Sequence, residues 1–240
     1  MQNRTQTLIG ALSLSLFVFF GVQSSFTTMA LAGCKDSAEP GVSWVDCRKR
    51  NLILSGSNLK KSDLSRADLS STDLRKSDFT GANLYKTNLM RATMAGSRAA
   101  GASFEYVQSY RTNFENTDFT NATFGKAELQ RANFSGANLS GVNFSKADLG
   151  RANFDNAILE NNNFERANLS RVDFSKAKLS GKFQVKNAYL LQSNIENVDF
   201  SGAIDLEQWQ VNMACGNDGT VLPAGFIRPG NWPCVPDPGE

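Results

Sequence analysis

A chain of 240 residues carrying 25 Lys and Arg against 23 Asp and Glu has a formal net charge of +2, too near balance to draw the whole molecule toward nucleic acid or a membrane surface. Histidine is absent, which removes the commonest general base and the commonest nitrogen metal ligand. Phenylalanine is abundant at 17, and no proline occurs between Pro40 and Pro223, as suits a long β ladder in which each backbone N–H is needed.

The first 32 residues read as a leader. Arg4 is the only charge before Lys35, and an apolar run from Leu8 to Phe20 follows it, too short to span a bilayer comfortably. A polar stretch from Gln23 to Thr28 precedes Ala30-Leu31-Ala32. These are the n-region, h-region and Ala-x-Ala site of a secretory signal peptide, with cleavage after Ala32. A rival reading takes Leu31-Ala32-Gly33-Cys34 as a lipobox, with lipid on Cys34. Contact with a membrane is expected only in that case. Either way the mature chain is extracytoplasmic, in a periplasm, a lumen or the medium.

Residues 33–53 form an N-terminal cap and residues 206–240 a C-terminal helix and tail, each holding two of the four cysteines. An even count in an exported chain implies disulfides. Proximity favours Cys34–Cys47 and Cys215–Cys234. Neither pair has the short spacing of a zinc site. No metal, cofactor or catalytic constellation is expected, and the chain is read as no enzyme.

Between the caps, over residues 54–205, an apolar residue recurs every five positions. The centres run Leu54, Leu59, Leu64, Leu69, Leu74, Phe79, Leu84, Leu89 and Met94, then resume as Phe114, Phe119, Phe124, Leu129, Phe134, Leu139, Phe144, Leu149, Phe154, Leu159, Phe164, Leu169, Phe174 and Leu179. A small residue such as Ala132 or Ala147 stands two before the centre, and Asn or Asp immediately before it. A period of five matches neither helix nor strand. It fits a chain that turns a corner every five residues, with centre and small residue inside. Sorting by 20 places Phe104, Phe124, Phe144 and Phe164 on one side and Leu129, Leu149 and Leu169 on the next. Phe114, Phe134, Phe154 and Phe174 fall opposite the first set, so four sides make a 20-residue coil. Stacked at about 4.8 Å, about seven to eight coils give a rod of roughly 35 Å.

Segments such as Ala132-Asn133-Phe134-Ser135-Gly136 and Ala147-Asp148-Leu149-Gly150-Arg151 resemble the repeating unit of the pentapeptide-repeat family. The resemblance implies an all-β fold, a right-handed quadrilateral β-helix closed by caps at both ends. Three local departures are visible. Ala99 and Ser109 replace large centres, which predicts a loosely packed level. One residue is inserted near Ser180-Gly181-Lys182, after which the pattern resumes at Leu190, Ile195 and Phe200. Asp205 ends the pattern and pairs with Gln208 as a helix capping box, with Leu206, Trp209 and Met213 on the face covering the last coil. Trp44 is placed to cover the first coil in the same way.

Function is sought on the outside. Asp63, Asp68, Asp73 and Asp78 read as solvated turn residues. Two after the centre, one corner of the coil carries Arg66, Lys86, Tyr106, Lys126, Lys146 and Arg166, and the next carries Ser71, Arg91, Arg111, Arg131, Arg151 and Arg171. The other two corners hold mostly Gly and Asn. Glu105, Glu128, Asp148 and Glu165 moderate the basic strips. Tyr85, Met90, Tyr106 and Tyr110 lie among them, and aromatics beside arginines favour interfaces. These residues form the candidate binding surface, for an anionic envelope component or a protein partner; no nucleic acid is expected. The alternative that the resemblance implies, a DNA mimic acting on gyrase, needs an acidic surface and a cytoplasmic address. The leader and the basic corners argue against it.

Overall fold

The structure is a computed structural model that describes residues 33–233; the expected leader and Cys234 lie outside the described residues. The chain winds as a four-sided parallel coil. Single-residue parallel bridges recur at an offset of 20, from Ser43↔Asp63 through Asn83↔Ser103 and Asn143↔Asn163. Longer pairings appear only late, between β1 (Ile158–Glu160) and β2 (Lys178–Ser180), and between β3 (Phe183–Gln184) and β4 (Ala203–Ile204). The all-β solenoid read from the repeat is therefore the observed architecture.

One repeat shows why five residues make a side. Phe144 N–H donates to Asn163 O at 2.7 Å in the following coil, and Asn143 N–H donates to Ala122 O at 3.1 Å in the preceding one. Ala147 N–H then bonds Phe144 O at 3.0 Å and closes a tight turn, whose third residue, Lys146, has φ 60°. Asn143 Oδ1 accepts from Ser145 N–H at 3.0 Å. The Asn or Asp before each centre is thus a turn residue that caps its own corner.

The interior is dry and columnar. Phe144 is fully buried and stacks on Phe124 and Phe164, with both centroid distances 5.4 Å. The facing column stacks likewise, Phe134 on Phe154 at 5.4 Å. Rings of the two columns meet edge-on, as at Phe144 and Phe154, 6.3 Å apart. Where a hydroxyl replaces the small alanine it serves the backbone: Thr87 Oγ1 donates to Leu64 O at 2.7 Å and Thr112 Oγ1 to Leu89 O at 2.6 Å.

At the level where a loose core is expected, Ala99 and Ser109 are both fully buried. Phe104 lies 4.6 Å from Phe124 and also packs edge-on against Phe119 at 5.3 Å. The trace of the substitution is polar instead: the buried Ser109 Oγ has no partner. A small apolar void lies at the insertion, lined by residues that include Leu179, Phe183, Val185 and Phe200. There the bridge offset changes from 20, at Ile158↔Lys178, to 21, at Asn163↔Gln184. Gly202 must be glycine at this level, because a Cβ would lie 2.1 Å from Gly181 O.

Both ends differ from the expectation. The parallel register begins at Ser43 and runs on to Asn194↔Cys215 and Asp199↔Val221, beyond the 54–205 span on either side. Trp44 does not cover the first coil from outside. It occupies the inward position one coil before Leu64, buried, with Nε1 donating to Asp36 O at 3.3 Å. The Cys34–Cys47 disulfide, with Cα atoms 5.4 Å apart, pins this crossing segment. No described cysteine is free, and the Cys215–Cys234 pairing involves a residue outside the described ones.

At the other end, helix α1 (Gln208–Met213) replaces one side of the last coil. Its cap is not Asp205 with Gln208. Asp205 has φ 55° and turns a corner, while Glu207 N–H donates to Gln210 Oε1 at 2.8 Å. Leu206 packs against the core as expected, and the other covering residues are Gln210, Val211 and Ala214, whereas Trp209 faces solvent. Gln210 is fully buried because Nε2 donates to Val185 O and Ala188 O, both at 2.8 Å. Trp232 completes the lid: its ring lies against Gly216, and its Nε1 donates to Ala214 O at 2.7 Å.

Candidate functional site

The corners fix where the basic side chains stand. Lys86, Lys126, Lys146 and Arg166 all have φ between 55° and 60° on one corner, and Arg91, Arg111, Arg131, Arg151 and Arg171 have φ between 54° and 59° on the next. Corner N–H groups are tied to the following coil, Lys126 to Ser145 O at 2.9 Å and Arg131 to Gly150 O at 3.0 Å. Cα atoms along a corner therefore repeat at about the 4.8 Å strand spacing. All of these side chains are exposed except Arg171, which is half-buried and donates from Nε to Gln192 Oε1 at 2.8 Å.

The two corners border one face, whose inward centres include Leu89, Ser109, Leu129 and Leu149. The structure brings two of the predicted tyrosines together on successive coils at one of these corners. Tyr85 and Tyr106 meet edge-on with centroids 5.5 Å apart. Lys86 Nζ lies 5.2 Å from the Tyr85 centroid and 5.6 Å from that of Tyr106. Lys126 Nζ lies 4.7 Å from the Tyr106 centroid and donates to the Tyr106 hydroxyl, a hydrogen bond that raises its pKa. Arg111 covers Tyr110 at 5.2 Å. Tyr106 and Met90 are exposed, while Tyr85 and Tyr110 are half-buried. Cations held over ring faces are positioned without being neutralised.

The carboxylates on this face are partly occupied elsewhere. Asp148 accepts from Gln130 Nε2 at 2.7 Å and Asn168 Nδ2 at 2.9 Å. Glu165 sits 3.8 Å from Arg166. At the first coil Arg66 is bound by Asp46 through Nε and Nη2, both at 2.7 Å, so the available basic strip begins after it.

Two features of the surface escape the five-residue reading. Tyr189 and Leu191 are exposed on the same face, with Tyr189 bridged to Asn168; they flank the resumed centre Leu190, in a register of 21. Asp78 is not a solvated turn residue. It is buried, and its carboxylate bonds Arg98 Nη2 at 2.5 Å, with Lys60 Nζ at 3.3 Å.

Known proteins agree with this architecture. The family model described as "Pentapeptide repeats (8 copies)" matches residues 53–94, and "Pentapeptide repeat region" matches residues 107–184. Among solved structures, HetL, a pentapeptide repeat protein involved in heterocyst differentiation regulation from the cyanobacterium Nostoc, is 20% identical. It covers 79% of this chain and 86% of its own, with a TM-score of 0.40. QnrB1, a plasmid-mediated fluoroquinolone resistance protein, is 15% identical over 81% of this chain and 90% of its own, with a TM-score of 0.48. A pentapeptide repeat protein from the Arabidopsis thaliana thylakoid lumen is 29% identical over 55% of this chain and 71% of its own, with a TM-score of 0.18. No curated protein matches the chain. With the family models together spanning half of the sequence and the coil register running from Ser43 to Val221, the chain belongs to the pentapeptide-repeat family.

Proposed function

We propose that the protein is an exported, non-enzymatic binding scaffold, and that the face between its two basic corners engages an extended anionic partner. Export is supported by the leader pattern of residues 1–32 and by the Cys34–Cys47 disulfide, since such bonds persist in oxidising compartments. Cleavage after Ala32 leaves Cys34 free for that bond, which speaks against the lipidated alternative.

The observation that carries the binding role is the conformation of the corners. Nearly every corner residue enters the left-handed region, which disfavours a residue with a Cβ by roughly 1–2 kcal/mol, with Gly exempt and Asn tolerant. The other two corners mostly comply, with Gly96, Gly101, Asn116, Asn121, Gly136, Gly141, Asn156 and Asn161, and carry Lys in that conformation only early, at Lys61 and Lys76. The two that flank this face instead carry Lys and Arg, against local preference and with like charges one coil apart, which repel. Where local choices contradict the fold, the usual reason is function. A rigid row of cations also meets a polyanion without ordering any loop, so little entropy is lost on binding.

The test replaces Arg91, Arg111 and Arg131 together by Gln, which removes charge and leaves the interior untouched. Retention on immobilised heparin across a salt gradient is compared with that of the wild type and of a control in which Asn116, Asn121 and Asn156 become Gln. Earlier elution of the Arg variant alone supports the reading; equal retention of all three overturns it.

A further inference from the structure

The two ends of the rod are unequal. The C-terminal end is closed by α1, by Trp232 against Gly216, and by Arg228, whose Nη2 donates to Asp218 O and Thr220 O, both at 3.0 Å. At the N-terminal end the segment after Gly33 crosses only part of the coil, held over Trp44 and Cys47 by the disulfide and the bond to Asp36 O. The side Leu52-Ile53-Leu54 stays open. Ile53 is 82% exposed, the most exposed large apolar residue of the described chain, and Leu52 beside it is 40% exposed.

The backbone there is open too. In later coils the residue before the centre donates its N–H backward, Asp73 to Leu52 O at 2.9 Å and Thr93 to Thr72 O at 3.1 Å. Ile53 stands at the same position, and among the described residues no coil precedes it. Its N–H and C=O point out of the rod as an unpaired strand edge beside an exposed apolar side chain.

Charge decides what fits this edge. Arg48 stands exposed on the side before it and Lys61 on the side after it, beside Arg50 and Lys60, which pair with Asp68 and Asp78. A second copy docked end to end would set these cationic flanks against each other. We infer that the open N-terminal edge accepts, by strand addition, a short extended segment of a partner protein, apolar in its middle and acidic at both ends. Main-chain pairing with Ile53 gives the register, apolar contact with Leu52 and Ile53 fills the centre, and the flanking carboxylates meet Arg48 on one side and Lys61 on the other. The corners at Asn51 and Gly56 limit the paired stretch to about three residues, or roughly 10 Å.

The probe is a labelled peptide, Glu-Glu-Val-Ile-Val-Glu-Glu, followed by fluorescence anisotropy. Saturable binding is expected, weakened at least tenfold by Ile53→Asp and by Ile53→Ser, and absent for the same peptide with Lys in place of Glu. A peptide with Pro at the central position, lacking the N–H, is expected to bind at least fivefold more weakly. Replacing Arg91, Arg111 and Arg131 by Gln should leave this binding unchanged, which separates the edge from the basic face. Failure of the wild type to bind, or binding by both Ile53 variants as tight as the wild type's, overturns the inference. So does concentration-dependent self-association that Ile53→Asp abolishes, because the occupant would then be a second copy.

Discussion

Arg98 lies one coil after Asp78 and binds its carboxylate at 2.5 Å, while Lys60 reaches it at 3.3 Å from the coil before. One buried carboxylate thus ties three successive coils along one face. Burial pushes its pKa up, but hydrogen bonds from Thr80, Arg98 and Lys60 outweigh it and hold the group well below the usual carboxylate range. Asp73, hydrogen-bonded by the Arg75 side chain, is lowered to about 2.

A carboxylate depressed in the folded state contributes stability above its unfolded pKa of about 3.9, and that stability is lost as pH falls through the folded value. Urea unfolding is therefore expected to show a plateau from neutral pH to about pH 5 and a decline below about pH 4. Asp78→Asn should lower stability at neutral pH by about 1–3 kcal/mol, because Arg98 loses its charged acceptor, and should flatten the acid decline. An unchanged acid limb in that variant would place the titration elsewhere.

The core makes a separate demand. Phe144 is stacked on both faces and met edge-on by Phe134 at 6.0 Å and Phe154 at 6.3 Å. Phe144→Ala should cost about 3–5 kcal/mol, as large-to-small changes in closed cores do. Phe144→Leu, which resembles the neighbouring columns, should cost less than about 1.5 kcal/mol. Equal losses for the two would mean that aromatic stacking, not filled volume, sustains the column.

Asn162 is a point where the sequence can be improved. It is buried, with Nδ2 donating to Leu139 O at 2.6 Å and to Val142 O at 3.3 Å, but Oδ1 has no partner. Thr at the equivalent position elsewhere makes the same bond and leaves nothing unpaired, as Thr117 does to Met94 O at 2.9 Å. Asn162→Thr should stabilise by about 1 kcal/mol, which calorimetry would read as a rise of about 2–4 °C. A lower melting temperature would show that the amide fills volume beneath Phe183 that the hydroxyl leaves empty.

The repeat was legible because its period is physical. Phe144 and Leu149 point inward for the reason their spacing states, and their columns followed from an offset of 20. Legibility fails where a residue's role depends on what lies one coil away. Trp44 reads as an external lid because its own segment lacks the motif; only its register with Leu64 shows it inside. Asp78 looks like Asp63 and Asp68 until Arg98 is placed beside it. The capping pair was displaced by two residues because Asp205 turns one more corner before the helix starts. Of the candidate face, the corner positions were readable. The stacking of Lys86 and Lys126 on Tyr85 and Tyr106 was not, since it joins residues 20 apart through side-chain torsions that no spacing specifies.

The basic corners yield the sharpest expectation, because there stability and function should move in opposite directions. Arg91, Arg111 and Arg131 have φ of 58°, 54° and 58°. Asn tolerates this conformation better than Arg, and removing the like charges relieves a repulsion worth a few tenths of a kcal/mol per pair. Changing all three to Asn should therefore raise stability by about 1–2 kcal/mol in total. Changing them to Gln removes the repulsion but keeps the backbone penalty, so its gain should be smaller. Both variants should lose salt-sensitive retention on heparin alike, since each removes the same charge, and the wild type's retention should itself fall as salt screens exposed charges over about 8–10 Å. A variant that becomes more stable while losing its ligand would show that the arginines are kept for binding and not for the fold. If Asn lowers stability instead, the arginine stems packed along the corner, as Arg111 lies over Tyr110, hold the coils together, and the basic rows are structural.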